Sequence, residues 1–263
     1  MDFDDVDKKW FDIMMTKESV DSEMIDFSKC QIFKLEAVKA NCAYPFDDRI
    51  SDIFIKTTGD IITEFNMTLG YTYAYEIYIF WCPHIQRTKY KKSKCISEIC
   101  SFASVRLNWH LSQLAVEPPL KLGTIYFSGI AFPVKNINDS FNYVYWKISR
   151  CAINYSIDKT AELHFSKKQL NDKNNLEKIK MLAEKKIQWN DIPDSFKFGI
   201  FVKKKIFPEK IIIRGKNNVE RTESILNVKL LSCSMNIPGY TADLSNLLFN
   251  RILNDASNWK FVY

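Results

Sequence analysis

The chain has 263 residues, of which 46% are hydrophobic, and a formal net charge of +6. This composition predicts a globular protein of one large domain or two small ones. No apolar run in the sequence reaches the roughly 18 to 20 residues that are needed to cross a membrane. The start of the chain lacks the pattern of a signal peptide, so we expect an intracellular, cytoplasmic protein. Seven cysteines without a CxxC pair favour reduced thiols over a disulfide framework or a zinc site.

The first half of the chain alternates strand and helix patterns. Hydrophobic spacing predicts a strand at 31–36, a helix that opens at Asp47, a hairpin of strands at 69–73 and 76–82, a helix around 96–107 and a strand at 124–132. The order β-α-β-β-α-β is that of the ferredoxin-like split unit, in which helices cover one face of an antiparallel sheet. We therefore expect an α/β (α+β) fold.

The second half is more helical. Its patterns predict helices at 141–157, 159–165 and 174–186, a basic β segment at 197–214 and a last helix near 242–253. We expect a palm-like domain with an N-terminal arm at 1–135, and a helical and β region at 136–263 packed on it.

Basic residues cluster near residues 89–94 and again at 203–216. Such clusters can neutralise phosphates and favour salt-dependent binding of nucleic acid. A solvated charged face explains the same pattern equally well.

Several short sequence motifs, in the same order along the chain, are similar to those of the tRNA(His) guanylyltransferase family. The palm-domain enzymes of this family add nucleotides to the 5′ end of tRNA in the reverse direction. These motifs are residues 142–147, 151–157, 161–170, 181–182, 185–193 and 197–199, with Tyr44–Asp47, Gly70–Thr72, Glu76–Ile77, Lys94 and Ser101–Ser104 in the first half. The resemblance implies Mg²⁺ and GTP or ATP as cofactors and tRNA as partner. It also implies a homo-oligomer, which in the family is usually a tetramer.

The motifs that contain the family's metal ligands are altered in this sequence. Two carboxylates from neighbouring strands hold two magnesium ions in such enzymes. The first comes from an Asp-Gly pair, which here is Glu36-Ala37, and the second from a Ser-Asp-Glu turn, which here is Ala74-Tyr75-Glu76. A third motif of the family, Phe-Asp-x-Arg, reads Phe127-Ser128-Gly129-Ile130 in this chain. A phenol is a poor ligand for a hard dication, so we expect a degenerate site in which Glu36 alone is a possible metal ligand.

Glu76 is the other carboxylate at this site, next to Tyr75. Because neighbouring residues of a strand point to opposite faces, we expect its use in place of the lost acid to require a one-residue slip that also turns over Ile77 and Ile79. The hydrophobic pattern opposes that slip.

Three further positions match residues to which the resemblance assigns nucleotide or phosphate contact: Asp47, Lys91 and Lys94. Three functions stay open. The first is an impaired or inactive family member that binds tRNA or nucleotide. The second is an active enzyme with a metal site rebuilt around Glu36 and Glu76. The third is a structural or regulatory subunit of a protein complex.

Overall fold

The computed structural model describes most of the chain. The described residues are 12–16, 24–38, 47–83, 90–114, 124–214, 220–239, 241–249 and 259–262, with the backbone alone described at 207–214 and 220–227. Tyr44 and its neighbours at 39–46 lie outside them.

The first half has the predicted order of elements. They are β1 (Met24–Ile25), β2 (Cys30–Val38), α1 (Asp48–Glu64), β3 (Leu69–Tyr73), β4 (Glu76–Trp81), β5 (Tyr90–Lys91), α2 (Lys92–Ser112) and β6 (Tyr126–Val134). Strands β2, β3, β4 and β6 form an antiparallel sheet in the order β6-β2-β4-β3. The α+β, ferredoxin-like class predicted from the sequence is confirmed.

The second half extends this unit. Its elements are α3 (Ile137–Trp146), a π-helical segment (Lys147–Ala152), α4 (Ile153–His164), α5 (Lys167–Leu170), α6 (Asn175–Glu184), α7 (Asp194–Phe198), β7 (Ile200–Arg214), β8 (Glu220–Cys233), α8 (Ala242–Phe249) and β9 (Lys260–Phe261). Strand β7 pairs with β3 through Gly70 and Val202, so strands from both halves share one sheet. The division of the chain near residue 135 stays a prediction.

Three features of the second half differ from the sequence prediction. The prediction that one helix ends at Ile157 and the next begins at Lys159 is wrong, because α4 continues through both residues. The sequence also gives no sign of the π-helical segment that joins α3 to α4. The basic strand begins at Ile200 rather than Lys197, because Lys197 lies in α7 and Gly199, with φ of +73°, redirects the backbone after it.

The sheet buries a hydrophobic core on each side. On the side that we call the helix face, Leu35 and Ile77 pack with residues of α1 and α2. On the opposite side, the extension face, Ile32, Tyr78 and Phe80 pack with residues of α3 and α8. Alternation along β2 and β4 thus divides their side chains between two cores.

The helices of the described residues include none that is both long and apolar enough to cross a membrane.

Candidate functional site

Glu36 and Glu76 lie directly opposite each other on the neighbouring strands β2 and β4. Directly opposed residues of antiparallel strands have Cα atoms about 4.5–5.5 Å apart and side chains on one face. Because Leu35 and Ile77 are buried on the helix face, both carboxylates project on the extension face. The expectation that Glu76 needs a register slip is therefore wrong: the native pairing already places it beside Glu36, with Ile77 buried.

The two carboxylates have different surroundings. Glu76 lies 3.8 Å from the Nζ atom of Lys34, and its other oxygen accepts a hydrogen bond from the buried Tyr78 hydroxyl. Among the residues that the structure describes, Glu36 has neither a hydrogen bond nor an ion pair from its exposed carboxylate. Lys34 therefore offsets the repulsion that two opposed carboxylates would otherwise exert.

Ser128, the third altered position, is the β6 partner of Glu36. It is exposed and lies on the same face, because Phe127 beside it is buried on the helix face. The structure thus brings Glu36, Glu76 and Ser128 together across three neighbouring strands.

Tyr75 occupies the turn between β3 and β4. Its carbonyl oxygen accepts a hydrogen bond of 2.9 Å from the Ala37 amide, and its ring lies 6.1 Å from that of Phe54 in α1. The Phe54 ring also contacts Phe127 at 6.0 Å. The tyrosine is thus half-buried against an aromatic cluster on the helix face, whereas the carboxylates project on the other side of the sheet.

These donors do not fit a two-metal site. Two carboxylates are present, one of them already bound by Lys34 and Tyr78, and Tyr75 offers only a neutral phenol. Mg²⁺ is bound through one or two carboxylates that are free to ligate, with waters and substrate phosphates completing its oxygen ligands, and of the two acids only Glu36 has no described partner. No group of three or more His, Cys, Asp or Glu side chains with metal-binding geometry occurs in the described part of the chain.

Asp47 lies near Tyr75 but is already engaged. Its side chain accepts a hydrogen bond of 3.0 Å from the Arg49 amide and so caps α1, and it also pairs with the Arg49 guanidinium. The hydrogen bonds from Arg49 lower the pKa of Asp47. The cleft that Asp47 and Tyr75 line has a volume of about 30 Å³, which is room for a few water molecules.

Lys91 and Lys94 lie towards the other end of the sheet. Lys91 pairs with Met24 in β1, and Lys94 lies over the Tyr90 ring, 3.9 Å from Glu98. Helix α2 begins there, at Lys92. It contacts Phe127, at the Glu36 end of the sheet, through the Ser104 hydroxyl, which lies about 18 Å further along the helix axis. The structure thus brings Asp47 near Tyr75 but not Lys91 or Lys94, whose phosphate contact stays a prediction.

A buried polar cluster beneath the carboxylates was not predicted from the sequence. The rings of Tyr73 and Tyr78 are stacked with centroids 6.0 Å apart, and the ammonium of the buried Lys147 lies 5.2 Å from the Tyr78 ring and 4.1 Å from that of Trp146. Burial raises the pKa of Tyr78 well above its usual value, so the phenol that donates to Glu76 stays protonated. The motif at Asn142–Lys147 could have indicated this cluster, because a lysine in an apolar helix segment is rarely buried without a partner.

The fold is a ferredoxin-like α+β unit with paired carboxylates at the end of its two central strands. Residues 30–135 match the family model described as tRNAHis guanylyltransferase. The resemblance seen in the sequence is confirmed over residues 30–135, which match the model of this family.

The solved structures that the chain is similar to agree in fold. A bacterial tRNA(His) guanylyltransferase-like protein in complex with ATP matches with a TM-score of 0.59 at 21% identity, over 83% of this chain and 91% of that one. The tRNA(His) guanylyltransferase of Saccharomyces cerevisiae matches with a TM-score of 0.60 at 17% identity, over 72% and 91%. A bacterial complex with GTP gives a TM-score of 0.51 at 20% identity, over 85% and 90%.

A curated relative is similar in sequence. The uncharacterized protein R259 of Acanthamoeba polyphaga mimivirus is 26% identical in an alignment 187 positions long that covers 62% of this chain. The chain spans 64% of the length of that relative.

Proposed function

We propose that the chain is a member of this family that binds tRNA or nucleotide and has lost metal-dependent nucleotide addition. The observation that carries the proposal is the position of Tyr75, whose ring packs on Phe54 where the family resemblance requires a carboxylate. Without that acid, the site lacks the second carboxylate that holds two metal ions next to each other in the family.

The binding half of the proposal is supported by the fold. The solved structures of similar fold are tRNA(His) guanylyltransferases or proteins like them, two of them in complex with ATP or GTP. We extend tRNA binding to this chain, together with the homo-oligomeric assembly implied by the resemblance. Its formal net charge of +6 is compatible with a polyanionic partner.

Two measurements on the purified chain test the proposal. One is transfer of labelled GTP to 5′-phosphorylated or 5′-triphosphorylated tRNA with Mg²⁺, and the other is tRNA binding as a function of salt. We expect binding that weakens as salt rises, and no transfer. Transfer at a rate similar to that of an active family member would contradict the loss of catalysis. Recovery of the chain only in a complex with other proteins, without affinity for tRNA, would favour a structural subunit.

A restored metal site gives the sharper test. The triple variant Glu36→Asp, Ala37→Gly and Tyr75→Asp rebuilds the family's motifs. An aspartate at position 75 has no ring to pack on Phe54, so at the turn it can orient towards the face of residue 36, and we expect the variant to gain Mg²⁺-dependent transfer. Phe261→Asp is the control, because it places a new negative charge on an exposed aromatic residue of β9, four strands away from β4 in the sheet. If the triple variant folds and binds tRNA but stays inactive, the loss extends beyond the metal site.

An active enzyme with a rebuilt site is the second candidate, and the direct pairing of Glu36 with Glu76 favours it. Two carboxylates on one face could hold one ion if Lys34 moved away from Glu76. In that case the natural chain transfers GTP, and Glu36→Ala and Glu76→Ala each abolish the transfer. Absence of transfer to any tRNA would exclude this candidate.

A further inference from the structure

Cys30 and Cys82 form a pair of buried thiols at the end of the sheet remote from Glu36. The register that pairs Gln31 with Trp81 places Cys30, the first residue of β2, directly opposite Cys82, which follows β4. Both side chains lie in the core of the extension face, and each is at most 5% exposed. Directly opposed residues have Cα atoms about 4.5–5.5 Å apart, which is within the range of 4.4–6.8 Å that a disulfide spans.

The side chains around the pair hold the two sulfur atoms together. The thiols of Cys30 and Cys82 are hydrogen-bonded to each other, and the buried Ser140 of α3 interacts with both. The Cys82 amide donates a hydrogen bond of 2.9 Å to the Thr68 hydroxyl, which fixes the backbone just after β4. No rearrangement of the strands is needed to bring the sulfur atoms into contact.

The hydrogen bond also makes the two thiols unequal. It lowers the pKa of Cys30, which accepts it, and raises the pKa of Cys82, which donates it. The charged groups nearby are Asp139, which opposes a Cys30 thiolate, and Lys203, which interacts with Cys82. Although both charges favour a thiolate on Cys82, the hydrogen bonds from Cys82 and Ser140 outweigh them and lower the pKa of Cys30. We therefore expect Cys30 to attack an oxidant first, since the thiolate is the reactive form.

We propose that Cys30 and Cys82 are a redox modification site that closes to a disulfide when a peroxide oxidises the chain. The Cys30 thiolate attacks one peroxide oxygen, the O–O bond breaks, and protonation of the leaving hydroxide gives water and a sulfenic acid on Cys30. The Cys82 sulfur then attacks the Cys30 sulfur and expels hydroxide, which takes the Cys82 proton to give a second water. Two thiols lose two electrons and two protons, and one hydrogen peroxide becomes two waters.

Peptide mapping of the intact chain tests this proposal without any variant. The reduced protein is treated with increasing hydrogen peroxide, free thiols are alkylated, and the protein is denatured and digested with trypsin. We expect a peptide starting at Cys30 to become linked to the one that contains Cys82, with a mass lower by two hydrogen atoms than the sum of both. A thiol reductant should separate the two peptides again.

The variants Cys30→Ser and Cys82→Ser identify the order of the steps. We expect Cys82→Ser to trap Cys30 as a sulfenic acid that a dimedone reagent labels, and Cys30→Ser to leave Cys82 largely unoxidised. Cys100→Ser is the matched control, because Cys100 is also buried but lies in α2 and contacts the other core. It should leave the linked peptide unchanged.

Two results would overturn the proposal. One is recovery of Cys30 and Cys82 as separately alkylated peptides at peroxide concentrations that already oxidise methionine in the folded chain. The other is formation of the linked peptide only in urea, together with links to other cysteines, since that would assign it to the unfolded chain. Both can be read on the natural sequence, even if a serine variant fails to fold.

Discussion

Replacing Tyr71 with phenylalanine removes a single oxygen atom that ties the hairpin to the second half of the chain. The Tyr71 side chain is fully buried, and its hydroxyl donates a hydrogen bond of 2.8 Å to the carbonyl of Phe198 at the end of α7. Gly199 follows with φ of +73°, and a Cβ there would lie 2.6 Å from the Tyr71 hydroxyl. The two segments therefore fit closely around this hydrogen bond.

The cost of Tyr71→Phe follows from leaving a buried acceptor without its donor. Such a loss destabilises a protein by about 1–3 kcal/mol, and about 1.5 kcal/mol corresponds to a fall in melting temperature of roughly 3–6 °C for a chain of this size. We expect this fall at pH 7 in thermal and urea unfolding. Tyr126→Phe is the control, because Tyr126 is exposed and its hydroxyl has no described partner.

The pH dependence gives a second, independent check. Burial raises the pKa of Tyr71 well above its ordinary value of 10.0. The folded state therefore keeps the phenol proton where the unfolded state loses it, so this contribution to stability is complete below pH 10 and falls as the pH rises above 10. Phenylalanine cannot ionise, so the deficit of Tyr71→Phe should shrink by about 1.4 kcal/mol per pH unit above pH 10. A deficit below about 0.5 kcal/mol at pH 7, or one that does not change up to pH 11, would refute the reasoning.

Two further substitutions test the packing of the sheet. Gly70→Ala should destabilise the chain by about 1–3 kcal/mol in urea unfolding, because its Cβ would lie 2.3 Å from Thr58, whereas Gly239→Ala meets no atom within 4 Å and should change little. Burial lowers the pKa of Lys203 to about 7, below its value in the unfolded chain, so stability should rise with pH between about 7 and 10. Lys203→Met removes this rise and also the hydrogen bond to the Leu247 carbonyl. If the natural chain and Lys203→Met changed equally in unfolding free energy between pH 7 and pH 9, the burial argument would be contradicted.

Much of the fold follows from local patterns in the sequence. The alternation of Phe33 and Leu35 with polar neighbours predicts β2, and the helical spacing of Ile50, Ile53 and Phe54 predicts α1. The π-helical join at Lys147–Ala152 has no such pattern. Its extra residue per turn changes which side chains face the sheet, and that depends on packing against Tyr78 and the neighbouring rings rather than on local preference.

The candidate site shows why register decides what composition leaves open. The sequence alone shows that Glu36 and Glu76 are acidic and that Tyr75 is not, but the face on which each lies depends on pairing between strands distant along the chain. The tight turn at Ala74, which has φ of +50°, sets the register of β3 against β4, and the pairing of β4 with β2 then places Glu76 beside Glu36. Lys34 lies on the same face of β2, two residues before Glu36, where its ammonium offsets charge that a metal ion would offset in an active enzyme. The arrangement therefore keeps two acids together without a cation from solution, which supports the proposal that this chain binds its ligands without metal-dependent chemistry.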